Sequence, residues 1–180
     1  MPQKAQLSHL QLQERLGRIY DRMRTACLNK NYYGHKLHRC TQIDLWWNII
    51  IIIGTSTTVG AWSVWKVPGG LNLWTMITGL TTVLALIRPV VRLSSRIEKL
   101  AKLHDGYARL YYDLRSLVDD IKSDQGLTSA LWERFRHAEA RYNDLAVKDD
   151  LKPSRRLQSR CEDQVREQFP VDFFWNPRED

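Results

Sequence analysis

Two sets of residues in this sequence have types and spacings that could carry chemistry. The first is a row of hydroxyls: Thr55 and Thr58 in one uncharged apolar stretch, Thr75, Thr78 and Thr82 in a second. At helical spacing Thr75, Thr78 and Thr82 share a third of the circle with Asn72 and Gly79, while Thr55 and Thr58 share a broader half with Asn48, Ser56 and Ser63. Hydroxyl side chains facing a shared lumen let ions pass without holding them, so these five threonines are the expected lining of a pore. The same stripes suit dry helix–helix packing, and the two readings stand together for different faces. The second set is basic. Arg15, Arg18 and Arg22 recur along the flank of an N-terminal helix, and Arg155 and Arg156 sit with Lys152 and Arg160 at the start of the last helix. Guanidinium groups near a helix N-terminus suit a phosphate-bearing ligand, so these five arginines are the expected anionic-ligand site. The alternatives are a solvated face for the first cluster and ion pairs with Asp149, Asp150, Glu162 and Asp163 for the second.

Enzyme chemistry has no carrier in the sequence. No phosphate-binding Gly-rich loop, nucleophile elbow, HExxH or GxGxxG is present, and the chain is expected not to be an enzyme and to need no cofactor. The run His35-Lys36-Leu37-His38-Arg39-Cys40 lacks a further ligand at metal spacing and is flanked by cations, so no metal site is expected. Cys27, Cys40 and Cys161 are odd in number and scattered, which does not suit a disulfide framework. His104 falls on an apolar seam and reads as a packed group rather than a general base.

The elements that would position these residues follow from hydropathy. Residues 45–65 and 71–87 carry no charge except Lys66 in the turn between them, Lys66-Val67-Pro68-Gly69-Gly70. At about 1.5 Å per residue each is long enough, or nearly so, for a hydrocarbon core about 30 Å thick. The expectation is a two-helix transmembrane hairpin with tryptophans Trp46, Trp47, Trp62, Trp65 and Trp74 near its interfaces. Lys30, Lys36 and Arg39 precede the pair and Arg88, Arg92 and Arg96 follow it, which places both termini on the cytoplasmic side. The opening residues lack an apolar region and cleavage site, and read as no secretory signal. The net charge is +7; residues 1–42 hold eight Lys/Arg against two acids, whereas residues 92–180 are balanced at 17 each.

Periodicity supplies the remainder. Leu12, Leu16, Ile19, Met23 and Ala26 give an amphipathic helix over residues 4–29, and residues 30–42 read as a hinge. From Leu86 a four-three repeat runs Val90, Leu93, Ile97, Leu100, His104, Tyr107, Tyr111, Leu114, Val118, Ile121, which predicts one helix over residues 71–122, kinked at Pro89. Ser123-Asp124-Gln125-Gly126 stops it; a helix follows to Val147 from a cap at Thr128 or Ser129, and another from Pro153 to Gln168. The aromatic tail FPVDFFWNPRED, with two prolines, cannot be a regular helix and is expected to dock.

The fold class is therefore all-α, with segments at 1–42 (basic helix and hinge), 43–91 (hairpin) and 92–180 (helical region and tail), in a homo-oligomer embedded in a lipid bilayer. This layout, with the hairpin IDLWWNIIIIIGTSTTVGAWSVWKVPGGLNLWTMITGLTTVLALI and the closing DDLKPSRRLQSRCEDQV, resembles the SLATT domain, the two-transmembrane effector module of bacterial antiphage systems. The resemblance implies a pore-forming effector of the bacterial inner membrane, opened in antiphage defence by a nucleotide or oligonucleotide regulator that a partner nucleotidyltransferase-type enzyme makes. The second functional class is a non-conducting membrane-anchored scaffold that tethers a partner protein through its helices.

Overall fold

The computed structural model describes residues 9–55, 76, 79–87, 92–150 and 153–177, and among these every regular element is helical. Helix α1 spans His9–Thr55, α2 spans Leu93–Asp124, α3 spans Ser129–Ala146 and α4 spans Arg155–Gln168, followed by a 3-10 turn at Val171–Phe173. A further helical stretch covers residues 79–87. The chain divides into two compact units: Met1–Gly34 with Ala101–Asp180, and His35–Leu100.

The all-helical expectation holds, but the transmembrane hairpin does not: among the described residues no helix is long and apolar enough to cross a membrane. The reason is length. Among the described residues the apolar run of α1 covers Ile43 to Thr55, about 20 Å at the helical rise, and residues 79–87 supply about 14 Å, against the roughly 30 Å required. Residues 56–75, the centre of the expected hairpin, lie outside the described residues.

Two further expectations are corrected. Residues 30–42 are not a hinge, because α1 runs through them without a break. Packing overrides the local Asn and Gly signals there. Tyr32 and Tyr33 are buried, and a Cβ on Gly34 would stand 3.3 Å from the His104 ring, so the glycine serves a close approach rather than a turn. Nor does the second apolar stretch continue unbroken into the heptad helix. Arg92 takes a left-handed backbone (φ 46°), and α2 begins at the next residue.

The core of the first unit joins α1, α2, α3 and α4. Leu16, Ile19, Met23, Ala26 and Cys27 of α1 are buried, as are Tyr107, Leu114, Val118 and Ile121 of α2. Leu103, Leu110 and Leu117 are buried as well, so the buried face of α2 is broader than a two-position coiled-coil seam and belongs to a bundle. Phe135 and Ala138 of α3 and Cys161 and Val165 of α4 close it. Helix α2 ends on Gln125 in the left-handed region (φ 48°), with the Gly126 N–H returning to Ile121 O at 3.3 Å. Thr128 caps α3, its hydroxyl accepting from Leu131 N at 3.3 Å.

Candidate functional site

The arginine stripe of α1 is turned toward α3. Arg18 Nη2 lies 3.4 Å from both carboxylate oxygens of Glu139, and Arg22 Nη2 lies 3.2 Å from Oε1. The Arg15 guanidinium stands 4.7 Å from the Trp132 ring centre, that of Arg22 4.1 Å from Tyr142. These contacts hold α3 on α1: two guanidinium groups share one carboxylate, and all three lie over aromatic faces of α3. Arg155 and Arg156 are exposed in the first turn of α4. Of the expected pore residues, Thr58, Thr75 and Thr78 lie outside the described residues. Thr55 is the last residue of α1, and Thr82 is exposed in the stretch 79–87, where the buried hydroxyl is that of Thr81.

Sequence reasoning passed over a tyrosine–carboxylate cluster. Tyr107 Oη donates to Asp149 at 2.8 Å and Tyr33 Oη donates to the same carboxylate at 3.0 Å. Tyr33 Oη accepts from Asp150 N at 3.1 Å, and Tyr32 Oη accepts from Ser154 N at 3.0 Å. The Tyr33 and Tyr107 rings lie parallel with centres 5.7 Å apart. Burial, reinforced by the Asp149 carboxylate, pushes both hydroxyls well above the ordinary tyrosine range, so they stay protonated and donate. The cluster ties the α3–α4 connection to α1 and α2, and a cavity of about 180 Å³ beside it is lined by Asn29, Tyr32, Asp149 and Gln158 among others. The signal was the pair Tyr32-Tyr33 one turn from the helix face, but its partner stands 116 residues away.

The aromatic tail forms a strap on α1 and α2. Tyr20 Oη donates to Trp175 O at 2.7 Å, Arg24 Nη2 to Phe169 O at 3.0 Å, and Lys122 Nζ to Phe173 O at 3.0 Å. The Tyr20 and Phe174 rings stack at 4.4 Å; the Arg24 guanidinium lies 4.7 Å from the Phe174 ring centre, and Arg115 lies 5.1 Å from that of Phe173. Phe169 at its root is buried, whereas Phe173, Phe174 and Trp175 are half-buried. Between α1, α4 and the strap root lies a largely apolar groove of about 450 Å³, lined by Leu28, Val165, Phe169 and Pro170 together with Arg24, Arg166 and the acid Glu162.

Cys27 and Cys161 are buried and free, and burial raises both above the usual thiol range, which disfavours the reactive thiolate. No group of His, Cys, Asp and Glu suited to a metal is found among the described residues.

The second unit presents a different surface. On α1, Ile43, Trp46, Ile50 and Ile53 are exposed within one arc of the helix, and Leu45 and Ile52 are exposed on the other side. Leu80, Val83, Leu86 and Ile87 are exposed in the stretch 79–87, and Met76 is 75% exposed. In this part of α1, Asn48 Nδ2 donates to Asp44 Oδ2 at 3.3 Å.

Comparison of the chain with protein-family models, with curated proteins and with solved structures finds no match.

Proposed function

We propose that this protein is a scaffold that attaches to a lipid layer through the second unit and offers the helical bundle of the first unit to a partner protein. The observation that carries the reading is the exposed apolar side chains of the second unit, from Ile43 to Ile53 and from Leu80 to Ile87. Large apolar patches on a protein surface mark interaction sites. The arc of Ile43, Trp46, Ile50 and Ile53 suits a helix lying in a lipid interface with one apolar face buried. The conducting reading drew on the two-span hairpin, so it does not carry over; surface attachment needs no spanning helix. The first unit supports the bundle half of the proposal, because Arg15, Arg18 and Arg22 are engaged in holding α3 on α1.

Flotation with phospholipid vesicles tests the reading. The full chain is expected to float with vesicles, and the triple variant Trp46→Asp, Ile50→Asp, Ile53→Asp to remain in the dense fraction with its helical circular dichroism retained. A full chain that stays in the dense fraction, or a triple variant that floats equally well, contradicts it.

A further inference from the structure

The cations of the first unit are treated unequally. Arg18, Arg22, Arg134 and Arg141 each meet a carboxylate of another helix, the last two at 2.6 Å and 2.7 Å from Asp120 and Asp113. Arg24 and Lys122, under the strap, meet none among the described residues. Their acceptors are the neutral carbonyls of Phe169 and Phe173 and the ring faces of Phe174 and Phe173. The strap also satisfies Arg24 incompletely. Nη2 has Phe169 O, but Nε is buried with no acceptor among the described residues. A buried guanidinium N–H without a partner is a costly omission, and a carboxylate would satisfy it with opposite charge as well as a hydrogen bond.

We propose that the half-buried end of the strap, residues 173–175, is a displaceable occupant of a peptide-docking groove, and that the groove takes a partner peptide combining aromatic side chains with a carboxylate directed at Arg24. The groove is formed for a polypeptide: its donors Tyr20 and Lys122 bond main-chain carbonyls, and Tyr20, Arg24 and Arg115 receive aromatic rings. Phe169 stays in the core and Pro170 marks the root from which the end lifts. Because the strap is tethered, it competes at an effective concentration in the millimolar range, so the partner must offer an interaction the strap lacks. The unserved Nε of Arg24 is that interaction. The inference deepens the scaffold reading by naming the partner class. It rests on that reading only for the existence of a partner; vesicle flotation tests the lipid half and peptide binding tests the groove, so either fails alone.

The experiment uses the full chain with Phe173→Ala and Phe174→Ala, which weakens the strap, and labelled synthetic peptides of the strap sequence FPVDFFWN. Three further peptides carry Pro170→Glu, Val171→Glu or Asn176→Glu. The expected result is binding by fluorescence anisotropy, with at least one acidic peptide about tenfold tighter than the parent. That gain is lost in Arg24→Lys, which keeps the charge but has no Nε–H of this kind. On the unaltered chain, the same acidic peptide is expected to speed hydrogen exchange of the amides of residues 173–175, which keeps the test valid should the strap variant fail to fold. Absence of that acceleration, equal affinity of all peptides, or a gain that survives in Arg24→Lys overturns the proposal. Acceleration by phosphatidylglycerol vesicles and by none of the peptides assigns the groove to lipid and overturns it too.

Discussion

Tyr107 Oη stands 2.8 Å from both carboxylate oxygens of Asp149, so one buried hydroxyl of α2 holds the connection that follows α3. Hydrogen bonds to a charged acceptor contribute about 2 kcal/mol. Tyr107→Phe is expected to lower the unfolding free energy by about that amount in urea titrations, because Asp149 loses a donor while the ring remains packed. An unchanged midpoint would show that the carboxylate finds water instead.

Alkaline pH acts on the same chemistry with a definite sign. Burial raises Tyr20 to about 12 from an ordinary value of 10.0, and raises Tyr33 and Tyr107 further. Above pH 10 the unfolded chain gives up phenolic protons that the folded chain keeps, so the folded state binds more protons and stability falls as pH rises. Below pH 10 these groups are protonated in both states and contribute no slope. Melting temperature is expected to drop steeply between pH 10 and pH 12, and less steeply in Tyr20→Phe. A flat profile across that window contradicts the burial assignment.

The pairing of Arg22 with Glu139 makes a charge-reversal test. Arg22→Glu places two carboxylates together and is expected to cost about 1 kcal/mol for this partly exposed pair. The double variant Arg22→Glu, Glu139→Arg is expected to recover most of it, although Arg18 then faces a like charge. A double variant no more stable than Arg22→Glu alone would separate Arg22 from α3.

Gly106 is where α2 passes closest to Leu145 of α3: a Cβ there would meet Leu145 Cδ2 at 2.6 Å. Gly106→Ala gains about 1 kcal/mol of helix propensity but displaces Leu145. We expect net destabilisation in the native background and stabilisation in Leu145→Ala, a reversal of sign measurable by thermal melts. The same sign in both backgrounds rejects the close approach.

The local signals in the sequence were legible where one segment decides its own conformation. Thr128 caps α3, the stop before it falls at Gln125-Gly126, and the period of α2 marks its buried side. Signals that depend on distant partners were not. Asn29, Asn31 and Gly34 suggest a hinge until Tyr32 and Tyr33 are seen to pack, and Arg15, Arg18 and Arg22 suggest an open anion site until Glu139, Trp132 and Tyr142 arrive from more than a hundred residues away. The hairpin failed on a different ground. Apolar composition set the expectation, but among the described residues no helix is long and apolar enough to cross a membrane. The tail's aromatic content announced docking, whereas the acceptor missing at Arg24 Nε is visible only with the strap in place.

Lipid attachment through the second unit is tested most directly by a nitroxide placed by Ile53→Cys in a Cys40→Ser background, with Ser116→Cys on the exposed side of α2 as the control. On addition of phospholipid vesicles the label at residue 53 is expected to become more accessible to oxygen and less accessible to a water-soluble nickel chelate, while the label at residue 116 stays unchanged. Identical accessibilities at residue 53 with and without vesicles would contradict the account.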